Sequence, residues 1–88
     1  MAKFQAGQLV ITANAKDTLH PEDVPASLAR HLRGDWGELD ESDKQENEFS
    51  LQHGLRLLSA YTLSDGTRIW VITEADRSAT TFLLPEEY

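Results

Sequence analysis

Two kinds of hydrophobic spacing follow one another along this chain and predict its secondary structure. Residues 8–12 contain a short run of apolar and β-branched side chains after a glycine, which is typical of a strand. In residues 21–33 an apolar side chain recurs every four positions, at Val24, Leu28 and Leu32. That spacing predicts a helix with one apolar stripe. Residues 13–19, between these two segments, are expected to be irregular or to form a single turn.

A second helix is predicted over residues 41–53. Asp40 is a suitable N-cap for it, and Gly54 is a suitable residue to end it. Its apolar stripe is poor, since Phe49 and Leu51 are its only large apolar residues. A helix this polar is expected to dock weakly or to lie across the surface.

From residue 55 onward the spacing changes to the alternation of strands. Residues 56–63 and 67–74 are rich in β-formers and flank Asp65-Gly66, which strongly favours a hairpin. A two-residue loop would place Tyr61 opposite Trp70. After a further turn, residues 79–84 form a last strand that Pro85 ends. The chain is therefore predicted to be one α+β domain over residues 1–88. It would have a small antiparallel sheet of about four strands, two helices, the element order β-α-α-β-β-β and a C-terminal meander.

The predicted hairpin register sorts the large side chains onto two faces of the sheet. One face would carry Leu57, Tyr61, Trp70 and Ile72. Two helices can cover only one face of a small sheet, so this face is either exposed or the core beneath the first helix. Periodicity leaves both alternatives open. If the face is exposed, it is expected to bind another protein or a second copy of the chain.

Charge adds a second candidate surface. The net charge is −7, and residues 35–48 alone carry −6. This balance argues against direct binding of nucleic-acid phosphates. The acidic patch could bind a basic protein surface, or it could be a solvated helix face. Its members are Asp35, Glu38, Asp40, Glu41, Asp43, Glu46 and Glu48.

Cysteine usage and hydropathy bear on the compartment. The chain has no cysteine, which excludes disulfides and thiolate–zinc sites. A domain of this size without disulfides is expected in the cytoplasm. No apolar run approaches the roughly 20 residues of a membrane span, and the first residues lack the apolar run of a signal peptide.

No pattern in the sequence indicates a catalytic or metal-binding site. His20, His31 and His53 lack metal-ligand spacing and are expected at the surface, and we expect neither a metal nor another cofactor. The alternative to a binding protein is a metal-free ribonuclease, in which arginines hold the phosphate while a base and an acid move protons. The β-α-α-β-β-β order is also that of RelE–ParE type toxins and, more loosely, of barnase-like nucleases. The residues for such a site would be His53, Arg56, Arg68, Glu74 and Arg77.

Four segments, residues 32–37, 56–61, 72–78 and 80–88, carry a resemblance to a known group. The chain resembles short bacterial proteins of plasmids and integrative elements, some of which are described as subunit M of a type I restriction endonuclease. The resemblance covers nearly the whole chain. It implies an origin in a mobile element and brings no activity with it. We therefore expect a non-enzymatic interaction or regulatory protein that binds another protein through the aromatic sheet face or the acidic patch.

Overall fold

The computed structural model describes residues 2–88, which form four strands, three helices and a C-terminal 3-10 turn. The predicted α+β class and four-stranded sheet are confirmed. Residues 13–18 add a short helix, whose first turn is capped by the Thr12 hydroxyl accepting from the Ala15 N–H. The elements are β1 Gln8–Ile11, α1 Ala13–Thr18, α2 Asp23–Leu32, α3 Glu41–His53, β2 Leu57–Thr62, β3 Arg68–Thr73, β4 Ala79–Leu83 and the turn Pro85–Glu87.

The strands lie in the order β1-β4-β3-β2. Strands β2, β3 and β4 form the antiparallel meander that the sequence predicts. Strand β1 instead pairs parallel to β4, with Gln8 opposite Ala79 and Ile11 opposite Phe82, so the sheet is mixed. The outer edge of β2 is occupied by the segment around Gly37, which leaves β4 as the edge that β1 can join.

The two long helices begin and end close to the predicted positions. Helix α3 has the predicted bounds: the Asp40 carboxylate accepts from the Asp43 N–H at 2.8 Å, and Gly54 closes the helix at φ +66°. Helix α2 begins at Asp23, and Pro25 lies in its first turn, where a missing N–H is tolerated. Within residues 2–88 no helix is both long and apolar enough to cross a membrane.

The hairpin between β2 and β3 has a different register from the predicted one. The Leu63 N–H donates to the Thr67 carbonyl at 2.8 Å, which makes the loop three residues long. Gly66 supplies the positive φ, +89°, that such a loop requires. Tyr61 therefore lies opposite Ile69 and not opposite Trp70. This shift of one residue moves every β3 side chain to the other face relative to β2.

The core lies on the face of the sheet that α2 covers. Its centre is Tyr61, Ile69, Val71 and Phe82. Four partly buried side chains, Leu19, Val24, Leu28 and Leu63, pack against this centre. The remaining face carries Trp70, and we call it the Trp70 face.

Candidate functional site

The shifted register divides the four residues predicted to form one interface. Leu57 and Tyr61 lie in the core, with 0% and 2% of their surface exposed, so neither is accessible to a partner. Trp70 and Ile72 lie on the Trp70 face, where Trp70 is half-buried and Ile72 is buried. Neither predicted alternative, an exposed face or a core face, holds for all four residues, because both depended on a two-residue loop.

The Trp70 face is covered only in part. The C-terminal segment packs on it: the Tyr88 ring lies 5.4 Å from the Trp70 ring, and the Thr12 hydroxyl donates to Glu87 at 2.8 Å. The exposed Arg56 side chain donates to the Tyr88 hydroxyl at 2.9 Å. Sequence reasoning missed Tyr88, because only the folded chain shows the C-terminal segment returning over the sheet.

Beside Trp70 lies an open groove of about 750 Å³. One wall is the indole with the exposed Arg68, and the other is the C-terminal turn at Pro85. The full lining is Thr18, Thr67, Arg68, Trp70, Leu84, Pro85 and Glu86. Tryptophan, tyrosine and arginine are the residue types that dominate binding energy at protein interfaces, and this face presents all three.

The acidic patch is partly committed to the fold. Asp35 accepts from the Arg30 guanidinium at 2.7 Å, and this hydrogen bond lowers the pKa of the Asp35 carboxyl. The Asp35 carboxylate also accepts from the Gly37 N–H at 3.2 Å. It therefore organises the loop that leads from α2 to the edge of β2.

Three further acids have structural partners. Asp40 caps α3, Glu38 accepts from the Thr62 hydroxyl at 2.8 Å, and Glu48 accepts from the indole N–H of buried Trp36 at 2.7 Å. The remaining acids lie on the exposed side of α3: Glu41, Asp43 and Glu46. Only these three are available as a continuous acidic surface on the helix.

The residues of the ribonuclease alternative are not gathered at one place. Arg56 lies 3.7 Å from Glu74 at one end of the hairpin, whereas Arg68 lies at the other end, 3.9 Å from Glu38. Glu74 follows Arg68 by six positions along the strand, a distance of about 20 Å.

The other two members of that set have local partners. Arg77 has a left-handed backbone, with φ +61°, and its guanidinium donates to the carbonyls of Ser50, Leu55, Glu74 and Ala75. His53 stacks on Phe49 with ring centroids 4.0 Å apart. The Arg77 guanidinium therefore fastens the end of α3 to the last turn, and both its Nη1 and Nη2 atoms donate to backbone carbonyls.

His31 is a buried polar residue whose burial the sequence did not predict. It was expected at the surface, but it is fully buried, because it lies on the same side of α2 as Leu28 and faces the sheet. Its Nδ1 lies 2.6 Å from the Ser59 hydroxyl, and its Nε2 lies 2.9 Å from the Thr73 hydroxyl. Burial lowers the pKa of His31 to about 4, with a smaller contribution from the positive charge of Arg77.

The direction of each hydrogen bond in this network follows from its last acceptor. The Ala6 carbonyl can only accept, so the Thr80 hydroxyl donates to it at 2.7 Å. Thr80 then accepts from Thr73 at 2.7 Å, and Thr73 accepts from the Nε2–H of His31. Because burial also lowers its pKa to about 4, His31 is neutral near pH 7, and its Nδ1 then accepts from Ser59. Every donor is used, which fits a structural and not a catalytic histidine.

Comparison with known proteins adds no relative. No family model, curated protein or solved structure matches the chain. Among the residues that the structure describes, no group of three or more His, Asp or Glu side chains is placed to hold a metal ion.

Proposed function

We propose that this chain is a non-enzymatic protein-binding module that uses the Trp70 face. The observation that carries the proposal is the half-buried Trp70 beside an open groove, on a face where Tyr88 and Arg56 also lie. A partner segment that fills this groove would desolvate the indole and contact the guanidinium of Arg68. Indole burial of this kind supplies a large part of the energy at protein interfaces.

The origin of the protein and its cellular location are also part of the proposal. The resemblance of the sequence to short proteins of plasmids and integrative elements supports an origin in a mobile element. The absence of cysteine supports a cytoplasmic location. The acidic patch is the weaker candidate for the binding surface, because four of its seven carboxylates are already engaged by the fold.

The experiment is a selection of a phage-displayed library of random peptides on the wild-type protein. Selected peptides are synthesised, and their affinities are measured for Trp70→Ser and for Phe49→Ser. Phe49 is a matched control, since it is an aromatic residue with 53% of its surface exposed on α3, away from the groove. We expect Trp70→Ser to weaken binding by about 30-fold and Phe49→Ser to leave it within about twofold.

A folding control and one further variant make the result decisive. In Trp70→Ser the remaining tryptophan, Trp36, is buried and reports by its fluorescence that the variant is folded. The triple variant Glu41→Lys, Asp43→Lys, Glu46→Lys reverses the free part of the acidic patch. If it abolishes binding while Trp70→Ser does not, the acidic patch is the binding surface and the assignment to the Trp70 face is wrong.

A further inference from the structure

The two edges of the sheet are finished in different ways. At the β2 edge, Asn47 of α3 donates to the Leu58 carbonyl at 2.6 Å and accepts from the Leu58 N–H at 3.1 Å. The Ala60 N–H donates to the Trp36 carbonyl, and the Ala60 carbonyl accepts from the Glu38 N–H. The outward-facing backbone groups of Leu58 and Ala60 are thus occupied, which blocks the addition of another strand along these residues of β2.

The β1 edge has no such cover. In its parallel pairing with β4, the even-numbered residues of β1 direct their backbone groups toward β4, as the bond from the Gln8 N–H to the Ser78 carbonyl shows. The N–H and C=O groups of Leu9 and Ile11 therefore point outward, and no other described residue bonds to them. Leu9, Val10 and Ile11 have 45%, 39% and 37% of their surface exposed.

We propose that β1 pairs antiparallel with β1 of a second copy of this chain, about a twofold axis through Val10. The pairing is self-complementary: the outward groups of Leu9 face those of Ile11 in the second copy, and the reverse, which gives four backbone hydrogen bonds. Val10 then lies opposite Val10 of the second copy as a non-hydrogen-bonded pair. The product is a continuous eight-stranded sheet whose helices lie on one side.

An apolar groove beside β1 matches this register. Leu9 and Ile11 lie on the same face as Phe82, so their side chains project toward the helices. A groove of about 420 Å³ opens next to Ile11, between β1 and the start of α2. Its lining is Ile11, Lys16, Leu19, His20, Pro21, Val24 and Pro25. Leu9 of the second copy would lie beside Ile11, and the groove would receive its side chain.

The charge distribution is compatible with pairing to a second copy. Residues 1–34, which include β1, carry four basic and three acidic side chains, whereas the acidic patch lies at the β2 edge. In the dimer the two acidic patches would lie at opposite ends of the sheet, seven strand spacings or roughly 34 Å apart. This exceeds the Debye length of about 8 Å at physiological salt, so the net charge of −7 does not oppose pairing.

Engineered cysteines test the register directly, because the natural chain has no thiol. The Cα atoms of a non-hydrogen-bonded antiparallel pair lie about 4.5 Å apart, within the range of a disulfide. The 88-residue Val10→Cys variant should therefore form a covalent dimer of twice 9.9 kDa on mild oxidation. Leu9→Cys, the matched control, places its two thiols diagonally across the axis and should stay largely uncross-linked. Equal or reversed cross-linking of the two variants would overturn the proposed register.

Charge exchange at Val10 tests the same contact without a covalent bond. Val10→Lys and Val10→Glu each place two like charges at the axis and should weaken self-association by about tenfold or more. An equimolar mixture of the two should recover a dimer, which mere misfolding cannot explain. A wild type that stays monomeric by light scattering, or a mixture that does not recover, would overturn the proposal. If the wild type is monomeric and the selected peptides lose affinity for Val10→Lys, β1 binds an unrelated strand and the proposed second copy is wrong. The test uses oligomeric state, so it is independent of binding at the Trp70 face.

Discussion

The two edges of the sheet differ in how closely their residues are packed against the rest of the chain. The β2 edge is closed by close contacts of individual residues, including Gly37 against Ala60 and Asn47 against Leu58. The β1 edge is open and apolar, and the side chains of Leu9, Val10 and Ile11 are exposed there. On the proposed pairing, folding stability depends on the β2 edge and association depends on the β1 edge. Changes at the closed edge should cost folding free energy, and changes at the open edge should alter association.

The largest effect is expected from Gly37→Ala. Gly37 has φ +76°, and a Cβ there would overlap the Ala60 carbonyl oxygen and the Tyr61 ring. Since a backbone carbonyl cannot move aside, we expect the variant to lose about 4 kcal/mol in free energy of unfolding. Gly66→Ala is the matched control: φ is also positive, but the space around it is empty, so it should lose only about 1 kcal/mol. Urea unfolding of both variants measures the difference. Equal losses would mean that the closed edge does not depend on this close approach.

The pH dependence of stability should come next in size. The pKa of folded His31 is lowered to about 4, below its usual 6.5, so the unfolded chain binds a proton in this interval and the folded chain does not. The stabilisation is complete above pH 6.5 and is lost as the pH falls toward 4. Its full size is about 3 kcal/mol.

Urea unfolding at pH 7 and at pH 4.5 measures the His31 effect. His31→Gln, which keeps hydrogen-bonding groups but does not titrate, should remove most of the slope. An unchanged slope in that variant would assign the pH dependence to other groups. Asp35 also has a lowered pKa, but its carboxyl loses its stabilising charge only below about pH 4. It therefore contributes little to the change in stability between pH 7 and pH 4.5.

Local signals in the sequence were sufficient for much of this fold. The N-cap at Asp40, the stop at Gly54 and the hairpin at Asp65-Gly66 are chemical features of a few adjacent residues. The register of the hairpin also depends on whether its loop holds two or three residues. An Asp-Gly pair is compatible with both loop lengths, so it does not decide between them. The one-residue difference in loop length places Tyr61 in the core and Trp70 on the opposite face of the sheet.

Other features depend on residues far apart in the chain. The parallel pairing of β1 with β4 joins segments about 70 residues apart, and no local pattern encodes it. His31 looked like a surface residue because its partners, Ser59 and Thr73, lie on strands 28 and 42 residues away. The acidic patch was found from composition, but its structural role became visible only with its partners in place.

Asn47→Ala tests the closed edge by a polar route and should have a moderate effect. It leaves the Leu58 N–H and C=O without their partner, which should cost about 2 kcal/mol. Gln45→Ala on the exposed side of α3 is the matched control and should stay within about 0.5 kcal/mol. The measurement is again urea unfolding, with light scattering of the folded variant. A loss no larger than that of the control would show that water replaces Asn47 and that the β2 edge is not closed by this side chain.

The smallest effect on folding is expected at the open edge. Val10 is exposed, so Val10→Lys should change the stability of the single chain by only about 0.5 kcal/mol. A dimer is stabilised by mass action, so the unfolding midpoint of the wild type should rise with protein concentration, and that of Val10→Lys should rise much less over the same range. At the lowest concentration the two midpoints should converge. Val10→Thr, which keeps the β-branched shape without a charge, should retain the concentration dependence. If Val10→Lys is instead as costly as Asn47→Ala at every concentration, Val10 supports the fold itself, and the contrast between the two edges fails.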